Sequence, residues 1–459
     1  MPSSPCKPSS PCKPSGPRKP SSPRKPRPMS PSLRRALAIA ATVPLAATML
    51  TAPAAVAVDT AAVHTAAGPR PAAELDRAER RMADNLGIRV RDRRLGGRVG
   101  GVVIDAKSDR TIWGHHAATA LMPASNVKLV TAVAALTVLG PGHRFTTRAV
   151  HGGGTLTLVG GGDRTLTTGD LDALAEDAVA GLRRAGVTSV RVRVDGRLFP
   201  RPTLATGWKR GYYPGEVTPV RALAVAGRAV TDTSLDAGQV FARLLAERGV
   251  TVTGGVTRGG AGARDVTVGL HRSAKLSRIV KRMLKVSDND IAEALLRMTA
   301  LGAGRPATFE GGTAAVRTVL SRTYGVSLAN FRMYDGSGLS RATRIPARTL
   351  AEILDLTVDP RHARTLKHVA DGLPVAGQAG STLGPEWGRF DTAASKCAVG
   401  KVRAKTGTLT GAIALSGMTK TRGGRWRIFS FVENGSPAPP SATRDALDGL
   451  AATVNGCWA

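Results

Sequence analysis

A serine and a lysine three residues apart, Ser125 and Lys128, open an Ala/Val/Leu-rich run that predicts a helix over residues 124–139. Residues i and i+3 of a helix share a face, so the Lys128 amine can reach the Ser125 hydroxyl. A serine attacks well only when a neighbouring base takes its proton, and a lysine is such a base once burial or a second cation lowers its pKa. The pair predicts nucleophilic catalysis by Ser125 with Lys128 as the base, although the same spacing fits an ordinary helix start with an exposed lysine.

A second string, Ser287-Asp288-Asn289, occurs once in the chain and falls between two predicted helices. In an extended loop the first and third side chains point the same way. We expect Ser287 to pass a proton to a leaving group, and the Asn289 amide to hold a substrate amide and Lys128. Asp288 and Asp290 are predicted N-caps of the following helix, a role that also fits the whole string.

A third string, Lys405-Thr406-Gly407, also occurs once and falls in a predicted strand. Lys405 and Thr406 offer a cation and a hydroxyl to a carboxylate, and the cation would also lower the pKa of the lysine in the first string. Gly407 would let a substrate backbone lie against the strand edge. The backbone N–H groups of Thr408 and Ser125 would then bind the developing oxyanion. An exposed edge strand with a glycine bulge is the alternative.

Helical and strand patterns follow each other in an order that predicts an α/β (α+β) enzyme. Three successive strands near the C-terminus and a closing helix predict an antiparallel sheet flanked by helices. We expect this core, with a helical subdomain, over residues 70–143 and 231–457, and an inserted α+β domain over residues 144–230. The main predicted elements are helices over 171–185, 235–248, 276–286, 291–301 and 442–454, and strands over 402–406, 413–419 and 426–432.

The N-terminal part of the chain predicts export. Residues 1–35 form a low-complexity leader that repeats a hexapeptide rich in Pro, Lys and Arg. Residues 36–57 are an apolar run ending in small residues, which predicts a secretory signal peptide cleaved after Ala57. A permanent membrane anchor fits less well, because Pro44 and Pro53 interrupt the run. We therefore expect the protein at the extracellular face of the membrane or in the cell wall.

The chain is strongly basic, with a formal net charge of +32. Such an excess favours an anionic partner, and an anionic cell wall or membrane surface fits the export signal. Nucleic acid is not expected, because only 4% of residues are aromatic and no stacking motif or recognition helix is evident. Arginine spread over solvated faces explains the charge equally well. The eight histidines lack a ligand motif such as His-Glu-x-x-His, so neither a metal nor another cofactor is expected.

Four cysteines divide into two pairs. Cys6 and Cys12 lie in the leader, which leaves Cys397 and Cys457 in the remainder of the chain. In an oxidising compartment these two can form one disulfide. Two buried free thiols are nearly as good an alternative.

The ordered triple of strings is typical of serine enzymes that act on D-Ala-D-Ala termini or β-lactams. With further blocks, the chain resembles the class C low-molecular-mass penicillin-binding proteins, the DacB-type D-alanyl-D-alanine carboxypeptidases/endopeptidases. The blocks that carry the resemblance lie at residues 121–129, 161–166, 335–341, 373–377 and 402–411.

The resemblance implies a core like that of serine β-lactamases and DD-transpeptidases and a secreted serine DD-peptidase. Such an enzyme cleaves the D-Ala-D-Ala bond, and D-Ala cross-links, of peptidoglycan stem peptides, and β-lactams inhibit it covalently. Ser125 would be the nucleophile and Lys128 the base, and Arg341 would line the substrate groove. The interval between the first two strings is shorter than in three-domain relatives, so we expect the third domain to be missing. Some relatives use an acidic residue of the insertion to hold the free amine of a diaminopimelate side chain. The corresponding stretch here, 208–216, carries basic residues and glycine, so either Glu216 takes that role or the stem-peptide preference differs.

Two other functions remain open. A secreted serine β-lactamase shares the three strings, but needs a deacylating carboxylate on a short loop and a compact helical domain between the first two strings. A non-catalytic cell-wall-binding protein would use the groove and the basic surface for recognition alone. It would not need Ser125, Lys128 and Lys405 together.

Overall fold

The computed structural model of the protein describes residues 75–458, so the predicted leader (1–35), signal peptide (36–57) and cleavage site lie outside the described residues. No helix within 75–458 is long and apolar enough to cross a membrane. The helices are α1 Arg77–Arg89, α2 Val127–Leu139, α3 Thr168–Arg184, α4 Thr233–Ala246, α5 Leu276–Val286, α6 Asn289–Gly302, α7 Phe309–Thr318, α8 Ala347–Asp355, α9 Ala363–Gly372 and α10 Pro440–Asn455. The strands are β1 Val99–Asp105, β2 Arg110–His115, β3 Ala120–Leu121, β4 Thr146–Gly152, β5 Thr155–Val159, β6 Ser189–Asp195, β7 Thr251–Val252, β8 Thr257–Arg258, β9 Val266–Arg272, β10 Ile345–Pro346, β11 Arg403–Leu409, β12 Ala412–Lys420 and β13 Trp426–Asn434.

A five-stranded antiparallel sheet in the order β11-β12-β13-β1-β2 forms the base of the molecule. Because side chains alternate across a strand, Phe429 and Phe431 lie in the apolar cluster shared with α1 and α10. Ile428 and Val432 point the other way, into the cluster that contains α2 and α8. The predicted α/β class with an antiparallel sheet between helices is confirmed. Strand β11 is an edge of this sheet, which leaves one of its sides open.

Helix α2 passes through the interior of the helical layer. Its sequence carries apolar residues on every side, and each residue from Val127 to Leu136 is buried. A helix that is hydrophobic all round has to be covered on all faces, and α5, α6, α8 and α9 all pack on α2. Gly140, with φ 82°, ends the helix. This packing fixes the backbone at the N-terminal end of α2, where Ser125 and Lys128 stand.

A second, mixed sheet has the order β7-β6-β5-β4-β9 and packs on α3 and α4. Strand β4 pairs antiparallel with β5 and with β9, whereas β5 and β6 are parallel. The sequence prediction placed an inserted domain at 144–230. The structure extends this sheet to Arg272, because β9 pairs with β4 and because Phe241 of α4 lies in the same apolar cluster as Val192. Residues 231–272, assigned by that prediction to the core, therefore contribute to the second sheet.

Candidate active site

Ser125 lies in a 3-10 turn, Ala124–Asn126, that leads directly into α2. Two glycines let the rest of the molecule close on this turn. A Cβ atom on Gly407 of β11 would lie 2.7 Å from the Pro123 carbonyl oxygen, and one on Gly338 would lie 2.0 Å from the Ala124 carbonyl oxygen. Gly338 also has φ +86°, a conformation that favours glycine. From the sequence, Gly407 is expected to let a substrate backbone approach the strand, whereas in the structure the serine turn itself excludes a side chain there.

Lys128 is fully buried, and its Nζ atom has three oxygen neighbours. Nζ lies 3.0 Å from Ser125 Oγ, 2.7 Å from Asn289 Oδ1 and 2.7 Å from the Ser337 carbonyl oxygen. Burial lowers the pKa of Lys128 to about 8, although the nearby Asp335 and Glu293 carboxylates act in the opposite direction. A substantial neutral fraction of this amine therefore exists close to neutral pH.

The orientation of the Asn289 amide decides how a neutral Lys128 is held. Asn289 Nδ2 donates to the Glu216 carbonyl oxygen at 2.8 Å, so the Oδ1 atom faces Lys128. Asn289 Oδ1 and the Ser337 carbonyl are pure acceptors, and they take the two N–H groups of a neutral amine. The remaining lone pair of Nζ then points at the Ser125 hydroxyl. This geometry is the one that a general base needs.

Lys405 is the second fully buried lysine of the site. Its Nζ atom donates to Ser287 Oγ at 2.9 Å and to the Thr406 carbonyl oxygen at 2.8 Å. Burial, followed by the positive charges of Lys128 and Arg389, holds the pKa of Lys405 well below its usual value. A protonated Lys128 therefore makes it harder for Lys405 to carry a proton.

The break between α5 and α6 places the second string. Ser287 ends α5 in the left-handed conformation (φ +60°), and Asp288 caps α6 by accepting the Ile291 N–H at 2.9 Å. The side chains of Ser287 and Asn289 thereby reach Lys405 and Lys128 respectively. The N-cap prediction for Asp290 is wrong, because its carboxylate accepts from Arg164 and Thr218 of the second-sheet region.

Two buried carboxylates hold the loop that supplies the Ser337 carbonyl. Glu293 accepts the N–H groups of Gly336 and Ser337 at 3.0 and 2.7 Å. Asp335 accepts from Trp208 Nε1 at 2.8 Å and from two further backbone N–H groups of the loop. Burial raises the pKa of both carboxyl groups. Neither received a role from the sequence, although Glu293 stands four residues after Asn289 on the same face of α6, a spacing that points both towards one site.

These residues border a cleft of about 370 Å³. Six residues named from the sequence line it, whereas Lys128 and Lys405 lie buried beneath its floor. Arg341 is not part of the lining, and its guanidinium donates to the Thr410 carbonyl oxygen at 2.8 Å. The sequence-named residues in the lining are Ser125, Glu216, Ser287, Asn289, Thr406 and Thr408.

Further lining residues had no signal in the sequence. Arg389 contributes a guanidinium that the Asp448 carboxylate holds in the interior, with Nε 2.9 Å from Oδ2. Arg444 adds a second, half-buried cation. Thr382 accepts a hydrogen bond from Thr406 Oγ1 at 2.8 Å. They come from separate segments that meet only in the folded chain, so no spacing pattern links them to the three strings.

A disulfide joins Cys397 to Cys457. It ties the segment before β11 to the chain end after α10. Of the two alternatives left open by the sequence, the structure contains the disulfide.

Comparison with known proteins gives a single family. The model of the D-Ala-D-Ala carboxypeptidase 3 (S13) family matches residues 82–227 and 214–454. A carboxypeptidase of Mycobacterium tuberculosis is 35% identical over 384 residues, which cover 79% of this chain and 81% of that protein. Carboxypeptidase DacB of Mycolicibacterium smegmatis is 33% identical over 385 residues, with the same coverage of 79% and 81%.

The fold matches solved structures as well. Penicillin-binding protein 4 (dacB) of Haemophilus influenzae superimposes with a TM-score of 0.66 at 23% identity, covering 81% of this chain and 98% of that one. The resemblance seen in the sequence motifs is thereby confirmed, and the fold is that of a penicillin-binding protein. The chain belongs to the D-Ala-D-Ala carboxypeptidase 3 (S13) family of serine peptidases.

Proposed function

We propose that the protein is an exported DD-peptidase that cleaves the D-Ala-D-Ala bond of peptidoglycan stem peptides through an acyl-enzyme on Ser125. The observation that carries the proposal is the buried Lys128 amine 3.0 Å from Ser125 Oγ, in a cleft that Ser287 also lines. Family membership supplies the D-Ala-D-Ala specificity. The apolar run at 36–57 and the Cys397–Cys457 disulfide support export, because disulfides persist in oxidising compartments.

Acylation begins at Ser125. The neutral Lys128 amine takes the hydroxyl proton as Oγ attacks the carbonyl carbon of the penultimate D-Ala. The negative charge that develops on the carbonyl oxygen is received by backbone N–H groups of Ser125 and Thr408. The tetrahedral intermediate collapses when the C–N bond breaks, and the peptide acyl group stays on Ser125 as an ester.

The leaving D-Ala amine needs a proton when the C–N bond breaks. Ser287 Oγ lines the cleft and can pass its proton to that nitrogen. Lys405, 2.9 Å from Ser287 Oγ, then returns a proton to the serine. The proton that Lys128 took from Ser125 replaces the one that Lys405 gave up, so Lys128 is neutral again. Water then attacks the ester: Lys128 accepts the proton of the water and gives it to Ser125 Oγ as the C–O bond breaks, which frees the shortened peptide.

The terminal carboxylate of the substrate lies at the end of the cleft lined by Thr406 and Thr408. The Thr408 hydroxyl donates to the carboxylate, and the Thr406 hydroxyl does so once its proton turns away from Thr382. The positive charges of Arg389 and Arg444 in the same lining stabilise the carboxylate. Lys405 is too deeply buried to meet the carboxylate directly, so it contributes through Ser287. The same acyl-enzyme forms when the leaving amine belongs to a neighbouring stem peptide, so we include D-Ala cross-links among the substrates.

Reaction with benzylpenicillin, followed by intact mass, tests the proposal. A β-lactam acylates the same serine, and a slowly hydrolysed adduct on the wild type that is absent from Ser125→Ala supports a DD-peptidase. Rapid turnover of penicillin without an adduct would favour a secreted β-lactamase. No reaction with penicillin or with a D-Ala-D-Ala peptide would favour a non-catalytic wall-binding protein. The positive result also requires that the wild type releases D-Ala from a soluble D-Ala-D-Ala peptide and that Ser125→Ala does not.

A further inference from the structure

A second large cavity lies at the opposite end of β11 from the active-site cleft. It has a volume of about 1140 Å³ and shares no lining residue with that cleft. The start of β11, the turn between β12 and β13, the first turns of α1 and the chain end after α10 form its walls. We call this cavity the basic groove. Its charged lining residues are Asp76, Arg81, Lys401, Arg403, Lys420, Arg422, Arg425 and Arg427.

The charges of the basic groove are unbalanced. Arg425 is paired with Asp76 and Asp105, at 3.7 and 3.1 Å. Six other cations in the lining have no carboxylate within ion-pair distance among residues 75–458, and four of them have exposed side chains. The exposed four are Arg81, Lys401, Lys420 and Arg422, and the other two are Arg403 and the buried Arg427. Like charges held this close repel one another, so an anion in the groove lowers the free energy of the folded protein.

Aromatic rings hold two of the cations in place. Arg81 lies over the Trp458 ring at 5.6 Å, and the Lys420 amine lies over the Trp426 ring at 4.8 Å. The disulfide from Cys457 to Cys397 attaches the Trp458 segment to the opposite wall. These contacts restrict the charged side chains before any ligand binds and so reduce the entropy that binding costs.

We propose that the basic groove binds a strand of an anionic polymer that carries phosphate or carboxylate groups and no bases. An open groove with several cations fits a chain of repeated negative charges better than it fits one small ion. Nucleic acid is disfavoured, because a cation already lies over each of the groove's two tryptophan rings and competes with a base for that position. The groove and the cleft both border β11 but share no lining residue, so a polymer can occupy the groove while the cleft stays accessible.

Fluorescence anisotropy with labelled polyphosphate and labelled poly-glutamate tests the proposal. Lys401→Glu/Arg422→Glu reverses two charges in the basic groove. Arg184→Glu/Arg191→Glu reverses two exposed charges on α3 and β6, so both double variants have the same net charge. Thermal melts followed by circular dichroism establish that both variants are folded.

We expect the groove variant to bind at least one of the two polymers roughly tenfold or more weakly than the wild type, and the control to lose less than about twofold. Binding of polyphosphate alone identifies phosphate as the ligand chemistry, and binding of poly-glutamate alone identifies carboxylate. Equal losses in the two variants would overturn the proposal, because bulk charge would then explain the binding. Equally tight, groove-dependent binding of single-stranded DNA would overturn the assignment to a base-free polymer.

Discussion

The active-site cleft and the basic groove lie at the two ends of β11 and hold their positive charges in opposite ways. Lys128 and Lys405 are fully buried, and fixed oxygen atoms surround each amine. Lys401 and Arg422 in the groove are exposed and have no carboxylate partner among residues 75–458. Burial lowers the pKa of a lysine and makes it a base, whereas exposure keeps the charge permanent. The active-site end of β11 is therefore suited to proton transfer, and the groove end is suited to the attraction of anions.

The largest difference between the two ends is expected when a single lysine is removed. Lys128→Ala takes away the base of Ser125, and we expect acylation by benzylpenicillin to slow about 10³-fold or more. The Lys420→Ala variant, changed in the groove, should be acylated by benzylpenicillin at the wild-type rate. Intact-mass spectrometry of samples quenched at successive times measures the acylation rates of both variants. A Lys128→Ala protein that acylates normally would assign the base to another group.

A smaller effect is expected from Glu293→Gln, because Glu293 positions Lys128 through the loop that carries Ser337. Displacement of the Ser337 carbonyl should slow acylation by up to roughly 10²-fold. The Glu293 charge raises the pKa of Lys128, so its removal should move the pH midpoint of acylation to a value lower than in the wild type. An unchanged midpoint together with a slower rate would reduce Glu293 to a purely structural role.

Gly407→Ala tests the close approach of β11 to the serine turn. The new Cβ would lie 2.7 Å from the Pro123 carbonyl oxygen, so the strand has to shift and the protein should lose about 1–3 kcal/mol of stability. Gly423→Ala is the matched control, since the nearest atom to its Cβ is 3.8 Å away and φ is not positive. Thermal unfolding measures the stability of both variants. Equal melting temperatures would show that the turn can accommodate a side chain.

The smallest effect is expected from Lys401→Ala in the basic groove. Several exposed cations share the charge there, so loss of one should weaken polyphosphate binding by less than about twofold. Acylation should not change. Loss of most of the binding from this single substitution would show that the groove contains one dominant contact rather than a distributed charge.

The predictions from the sequence agree best with the structure where they depend on a local pattern of residues. The helix predicted over 276–286 coincides with α5, and the strands predicted between 402 and 432 correspond to β11, β12 and β13. The three strings do meet at one cleft. Each of these predictions depends on periodicity or on residue types a few positions apart.

What the sequence did not predict depends on long-range pairing. Strand β9 joins β4 across more than 100 residues, so the end of the second sheet could not be read from local composition. Helix α9 was also not predicted, although its amphipathic pattern is local. The Ser337 carbonyl next to Lys128 is a backbone atom, and no residue type marks it. Arg389 enters the cleft only because Asp448 of α10 holds its guanidinium.

The central claim is that a neutral Lys128 activates Ser125, and the pH dependence of acylation tests it most directly. The rate at which benzylpenicillin forms an adduct, with the modified residue identified by peptide mapping, should rise about tenfold per pH unit below the Lys128 pKa of about 8 and become constant above it. The adduct should be on Ser125. A rate that does not change on passing through this pKa, or an adduct on another residue, would contradict the account.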